Sequence, residues 1–137
     1  MQARVARTWI AFSILLMVLP SDAAQFTTKE EVVDYLVAHS PHRGEWVFSG
    51  PRGGSRGGMT AAFTKDGGRL YFSGTQRNID GDIKDLTISI KDDKVTVSFK
   101  NSTTWALYTL ELKKDGKLVG EALSNLGKST IDLSPAN

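Results

Sequence analysis

Gly44-Glu45-Trp46-Val47-Phe48, followed at once by Gly50-Pro51-Arg52-Gly53-Gly54-Ser55-Arg56-Gly57-Gly58, divides the chain into two unlike parts. Upstream lies one short helical pattern. Downstream, apolar and polar residues alternate with a period of two, the pattern of half-buried strands. Leu86, Ile88 and Ile90 alternate with Thr87 and Ser89, and Val95, Val97 and Phe99 alternate with Thr96 and Ser98. Asp66-Gly67, Asp92-Asp93 and Asp115-Gly116 fall between such runs, and aspartate and glycine suit the backbone of tight hairpins. The predicted strands are 45–50, 59–65, 69–76, 83–91, 94–100, 104–113, 117–124 and 128–133. The fold class is therefore mainly β: an antiparallel up-and-down barrel of about eight strands with one short N-terminal helix, a two-sheet sandwich being the alternative closure.

Before the strands, Thr28 and Glu31 form a capping-box pattern, and Val32, Val33, Leu36 and Val37 recur at helical spacing. A helix over 28–40 is expected, ended by Pro41, which disfavours helical geometry in the residue before it. So short a helix needs a docking surface, and the open end of the barrel is the natural place for it.

Residues 1–23 read as a secretory signal peptide. Arg4 and Arg7 precede an apolar run from Trp9 to Leu19, and Pro20-Ser21-Asp22-Ala23-Ala24 supplies a break and small residues. The run is shorter than a membrane span requires. Removal of 1–23 would leave 24–137 as a single domain of 114 residues, with no membrane span after cleavage. Its charge would be +1: 15 basic residues (17 less Arg4 and Arg7) against 14 acidic (15 less Asp22). That balance argues against nucleic acid as a partner. The chain has no cysteine, which beside an export signal favours a periplasmic or secreted bacterial protein over a disulfide-stapled animal module.

With the helix and the strands in place, Gly44-Glu45-Trp46 on the first strand resembles the Gly-x-Trp signature of the lipocalin or calycin-type barrels. The resemblance covers 28–133 in architecture and three residues in motif. It implies a tryptophan across the closed end of the barrel, packed beside a basic residue of the last strand, for which Lys128 is the candidate. The chain departs from haem-binding nitrobindin-type barrels, because Phe48 replaces the middle glycine of their extended motif and no histidine lies on a later strand.

Sites of other kinds find little support. Pro41 breaks the face that His39, His42 and Glu45 would need to share as metal ligands. Asn78-Ile79-Asp80-Gly81-Asp82 lacks the closing acid of a calcium loop. No catalytic residue, metal or cofactor is expected. Trp105 is expected in the core, and the apolar residues on both faces of its strand suggest a cover over the outside. The glycine-rich stretch 50–58 reads as the longest connector, able to act as a lid, with Arg52 and Arg56 flanking the entrance. Phe48, Phe72, Leu86, Ile88, Val97 and Phe99 are expected to line the interior. The expectation is a monomeric, non-enzymatic barrel holding a small apolar or amphipathic ligand with an anionic head. The alternative is an interaction or inhibitor module with a solid core and a protein partner.

Overall fold

A computed structural model describes residues 26–51, 53–74 and 80–136. The expected signal segment, Arg52 and part of the acidic turn at 78–82 lie outside the described residues. The first described element is helix α1, Lys29–Ala38. Its capping box forms as expected: the Glu31 amide donates to Thr28 Oγ1, and the Glu31 carboxylate accepts from the Thr28 amide. The Glu31 carboxyl is held below its ordinary pKa, chiefly by the Thr27 backbone amide that donates to it.

Eight antiparallel strands follow in one closed barrel: β1 His42–Gly50, β2 Gly53–Thr64, β3 Gly67–Phe72, β4 Asp80–Lys91, β5 Lys94–Asn101, β6 Leu107–Leu112, β7 Leu118–Ser124 and β8 Gly127–Pro135. Each pairs with its neighbour in sequence, and β1 pairs with β8 from His42↔Pro135 to Ser49↔Lys128. The architecture is calycin-like and up-and-down, so the barrel alternative holds over the sandwich. Gly44 sits where β1 and β8 approach most closely. A Cβ there would lie 2.9 Å from the Leu133 Cα and would collide with the Asp132 carbonyl.

Inward residues follow the strand period. On β5 these are Val95, Val97 and Phe99; on β6, Tyr108, Leu110 and Leu112; on β8, Ile131 and Leu133. On β4 the period breaks. One extra residue enters between Lys84 and Thr87, with Asp85 at φ 55°. This bulge lets Ile83 face inward before it and Leu86, Ile88 and Ile90 after it.

Two expectations about the elements are corrected. The stretch 50–58 is no loop, since β1 and β2 stay paired from His42↔Ala61 to Gly50↔Gly53. At two of its glycines neighbouring groups occupy the place of a side chain. A Cβ on Gly57 would meet the Trp46 indole at 2.8 Å, and one on Gly50 would meet the Phe48 ring at 2.7 Å. The second correction concerns 104–113: β6 starts only at Leu107, and the preceding residues form a turn that leaves Trp105 exposed rather than in the core.

Helix α1 closes the barrel end at which β1 begins. Val32 and Leu36 are fully buried, and the helix packs on β2 and β4. Across the same end, the Tyr35 hydroxyl reaches the β6–β7 turn, 2.8 Å from where a Cβ on Gly116 would stand. Beneath the helix lies His42, fully buried, its ring edge-on to Phe63 with centroids 5.7 Å apart. Neither ring nitrogen has a hydrogen-bond partner. Burial therefore lowers the His42 pKa to about 4; the Gly116 backbone opposes the shift, and His39 assists it.

Because that folded-state pKa lies below the ordinary 6.5, the unfolded chain takes up this proton first as the medium is acidified. Above pH 6.5 the ring is neutral in both states and adds no pH dependence, and stability falls from there down to pH 4, by about 3 kcal/mol at the limit. Urea unfolding at stepped pH should show this slope, and His42→Phe should flatten it between pH 6.5 and 5.

Candidate functional site at the barrel mouth

At the end opposite the helix, the described residues include the β5–β6 and β7–β8 turns and the ends of β1 and β2, and none of them closes over the barrel as the helix does. Within it lies a cavity of about 320 Å³, floored by Trp46, Phe48, Ala106, Tyr108 and Ala122 and rimmed by Ser55, Thr104, Ser124, Asn125, Leu126 and Ser129. The floor is apolar and aromatic. The rim carries hydroxyls and one carboxamide.

The small residues create this space. Ala106 and Ala122 take inward positions where neighbouring rungs carry leucine or tyrosine, and Tyr108 pairs directly with Ala122. Tyr108 stacks on Phe99 at 4.9 Å between centroids, with an interplanar angle of 11°. Its hydroxyl is pushed up to about pKa 12 by burial, an effect that Asn101 opposes, so it stays a neutral phenol. Asn101 is itself buried; its Oδ1 accepts from the Thr103 amide, and its Nδ2 has no partner. Trp46 is anchored by its indole N–H, which donates to the Ser73 carbonyl at 3.3 Å. Among the described residues, no ionisable carboxylate, amine or guanidinium lines the cavity.

Of the described residues expected to line a binding cavity, only Phe48 does so; Arg52 is not among those described. Val97 and Phe99 are fully buried and Ile88 nearly so; they fill the barrel rather than line a space. Phe72 is partly buried against the same core. Leu86 borders a groove beside α1, with Lys29, Val33, Lys65 and Asp66. Arg56 takes an outward position on β2 and forms a 2.7 Å ion pair with Glu45, so it does not flank the mouth. Residues Ala106, Ala122 and Ser129 escaped the sequence reading, because nothing in an alternating pattern tells a small inward residue that opens a cavity from one that fits a tight rung.

Gly44, Trp46 and Lys128 divide differently from the arrangement implied by the Gly-x-Trp resemblance. Trp46 faces inward with Ile131 as its β8 partner, but it lies in the wall of the open mouth, while α1 and His42 occupy the closed end. Lys128 pairs in register with Ser49 and Leu123, takes the outward position, and reaches Glu121 at 3.6 Å. It therefore does not cover the indole. Among the described residues, no group of three His, Asp or Glu side chains could hold a metal ion. No helix among them is long and apolar enough to cross a membrane. The sequence matches no protein-family profile, no curated protein and no solved structure.

The indole both floors the cavity and fills the space above Gly57, so truncation removes core as well as site. Trp46→Ala should cost about 3–5 kcal/mol in equilibrium unfolding, as large-to-small core changes do.

Proposed function

We propose that this chain is an exported binding barrel that takes a small, uncharged ligand at its open mouth, a lipocalin-like use of the architecture. The observation that carries this reading is the 320 Å³ cavity with an aromatic floor, a hydroxyl and carboxamide rim, and no charged group among the described residues that line it. Its volume lies at the low end of small-molecule sites, which combine an apolar lining with a few placed polar groups. A flat or branched apolar body would lie against Trp46, Phe48 and Tyr108, and hydroxyl or carbonyl groups would meet Ser55, Thr104, Ser124, Asn125 and Ser129.

This refines the ligand expected from sequence. A long acyl chain would need to run down the barrel axis, where Val97, Phe99, Leu110 and Leu118 already fill the space. An anionic head would find Arg56 on the outer wall and already paired with Glu45. The filled half of the barrel also favours a second reading, an interaction module whose solid core serves only to present its loops to a protein partner.

Calorimetric titration with 2-naphthol and with 2-naphthoate, one neutral and one anionic at pH 7, tests the proposal. The wild type should bind the naphthol better. Ala122→Phe, which fills the cavity from β7, should weaken binding by about tenfold or more. Arg56→Ala should leave it unchanged. Absence of saturable binding, or equal binding by Ala122→Phe, would sink the ligand reading and leave the interaction module.

A further inference from the structure

A row of four residues crosses the outer wall near the mouth. Lys100 on β5 pairs with Leu107 on β6, Leu107 with Leu123 on β7, and Leu123 with Lys128 on β8. All four take outward positions and are exposed. Two leucines thus stand side by side on the barrel surface with a lysine on either flank. Further toward the mouth, the β5–β6 turn carries Trp105, 65% exposed, and the β7–β8 turn carries Leu126, 74% exposed.

This exposure is built into the fold. Trp105 has φ 58°, a backbone region that bulky residues rarely occupy. Its turn is pinned from several sides. The Trp105 amide donates to the Asn101 carbonyl at 2.7 Å, the Asn101 amide to the Ala106 carbonyl at 3.1 Å, and the Thr103 hydroxyl to the Asp80 carbonyl at 2.6 Å. The Leu126 amide donates to Ser124 Oγ at 3.2 Å. The helix covers none of this face, since it packs on β2 and β4.

We propose that this lip docks on a phospholipid surface. Trp105 and Leu126 enter the boundary between headgroups and acyl chains, Leu107 and Leu123 follow, and Lys100 and Lys128 meet lipid phosphates. The charge pattern carries the choice of partner. Each lysine is held only by a long, exposed ion pair, Lys100 with Asp85 at 3.8 Å and Lys128 with Glu121 at 3.6 Å. Phosphate oxygens can replace such partners, and the two carboxylates that remain keep the attachment weak and reversible. A tryptophan suits that boundary because its ring is apolar and its N–H polar. The four apolar side chains together expose on the order of 400 Å², the size of patch that marks an interaction surface. Because Thr104, Ala106, Ser124, Asn125 and Leu126 line the cavity, docking would turn the mouth toward the bilayer. The proposal stands whether or not that cavity takes a ligand.

The test is co-sedimentation of the full chain with phosphatidylcholine vesicles, with and without phosphatidylglycerol. The apolar run at 9–19 is present in every variant, so differences between variants report on the lip. Trp105→Ser with Leu126→Ser should lower partitioning by about tenfold on both vesicle types. Lys100→Gln with Lys128→Gln should remove the gain that phosphatidylglycerol gives, together with its salt sensitivity. The second pair alters only exposed side chains, so it remains informative if the first pair perturbs the turns. Wild-type partitioning in both double variants would overturn the proposal, as would absence of wild-type binding. A vesicle-free dimer that Trp105→Ser and Leu126→Ser convert to monomer would overturn it in favour of self-association.

Discussion

Closure of β1 against β8 is the constraint on which the rest of the molecule depends. Eight registered pairs from His42↔Pro135 to Ser49↔Lys128 leave the sheet without a free edge. They also fix, for every strand, which residues turn inward. The seam admits no side chain at Gly44, because the Asp132 carbonyl occupies that place. Once the ladder is closed, a shift by one residue would exchange core for surface along a whole strand. The single tolerated shift, at Asp85 on β4, is confined to a bulge that restores the apolar face beyond it.

Closure also gives the two ends their different characters. At the helix end, Val32 and Leu36 are buried against β2 and β4, the aliphatic side chains of β5 to β8 are buried as well, and the interior is filled. His42 is buried there without hydrogen bonds, a cost accepted where the chain passes from the helix into the first strand. At the mouth, Ala106 just before β6 and Ala122 on β7 are buried, and the aromatic rings of Trp46, Phe48 and Tyr108 are left with a space between them. The cavity is thus a local failure to fill the barrel, placed at the end opposite α1. The exposed lip of Trp105, Leu107, Leu123 and Leu126 borders the same end.

Much of the fold was legible in the sequence because alternation and turn chemistry are local. The helix with its Thr28–Glu31 capping box, the eight strands and the tight turn at Asp92-Asp93 all follow from residues within a few positions of one another. The glycine-rich stretch misled for a physical reason. Glycines suggest a flexible connector when read singly, yet here the Ser73 carbonyl just past β3 and the Trp46 ring, eleven positions away, occupy the place a side chain on Gly57 would take. Trp105 misled in the opposite sense: an aromatic beside a strand suggests core, but the hydrogen bonds of 101–106 turn it outward.

The sequence by itself determined the period, the sidedness and the order of the strands, since each depends on neighbouring residues and on turns too short to permit anything but adjacent antiparallel pairing. Only the tertiary structure decided where the space lies and which charges face it. Arg56 and Lys128 are ordinary strand residues in sequence; closure sends both outward, to Glu45 and Glu121. Ala106, Ala122 and Ser129 are unremarked in sequence, and closure gathers them with Trp46 around one cavity. A cavity is a property of side chains that fail to meet, and side chains from five different strands can fail to meet only after the barrel has closed.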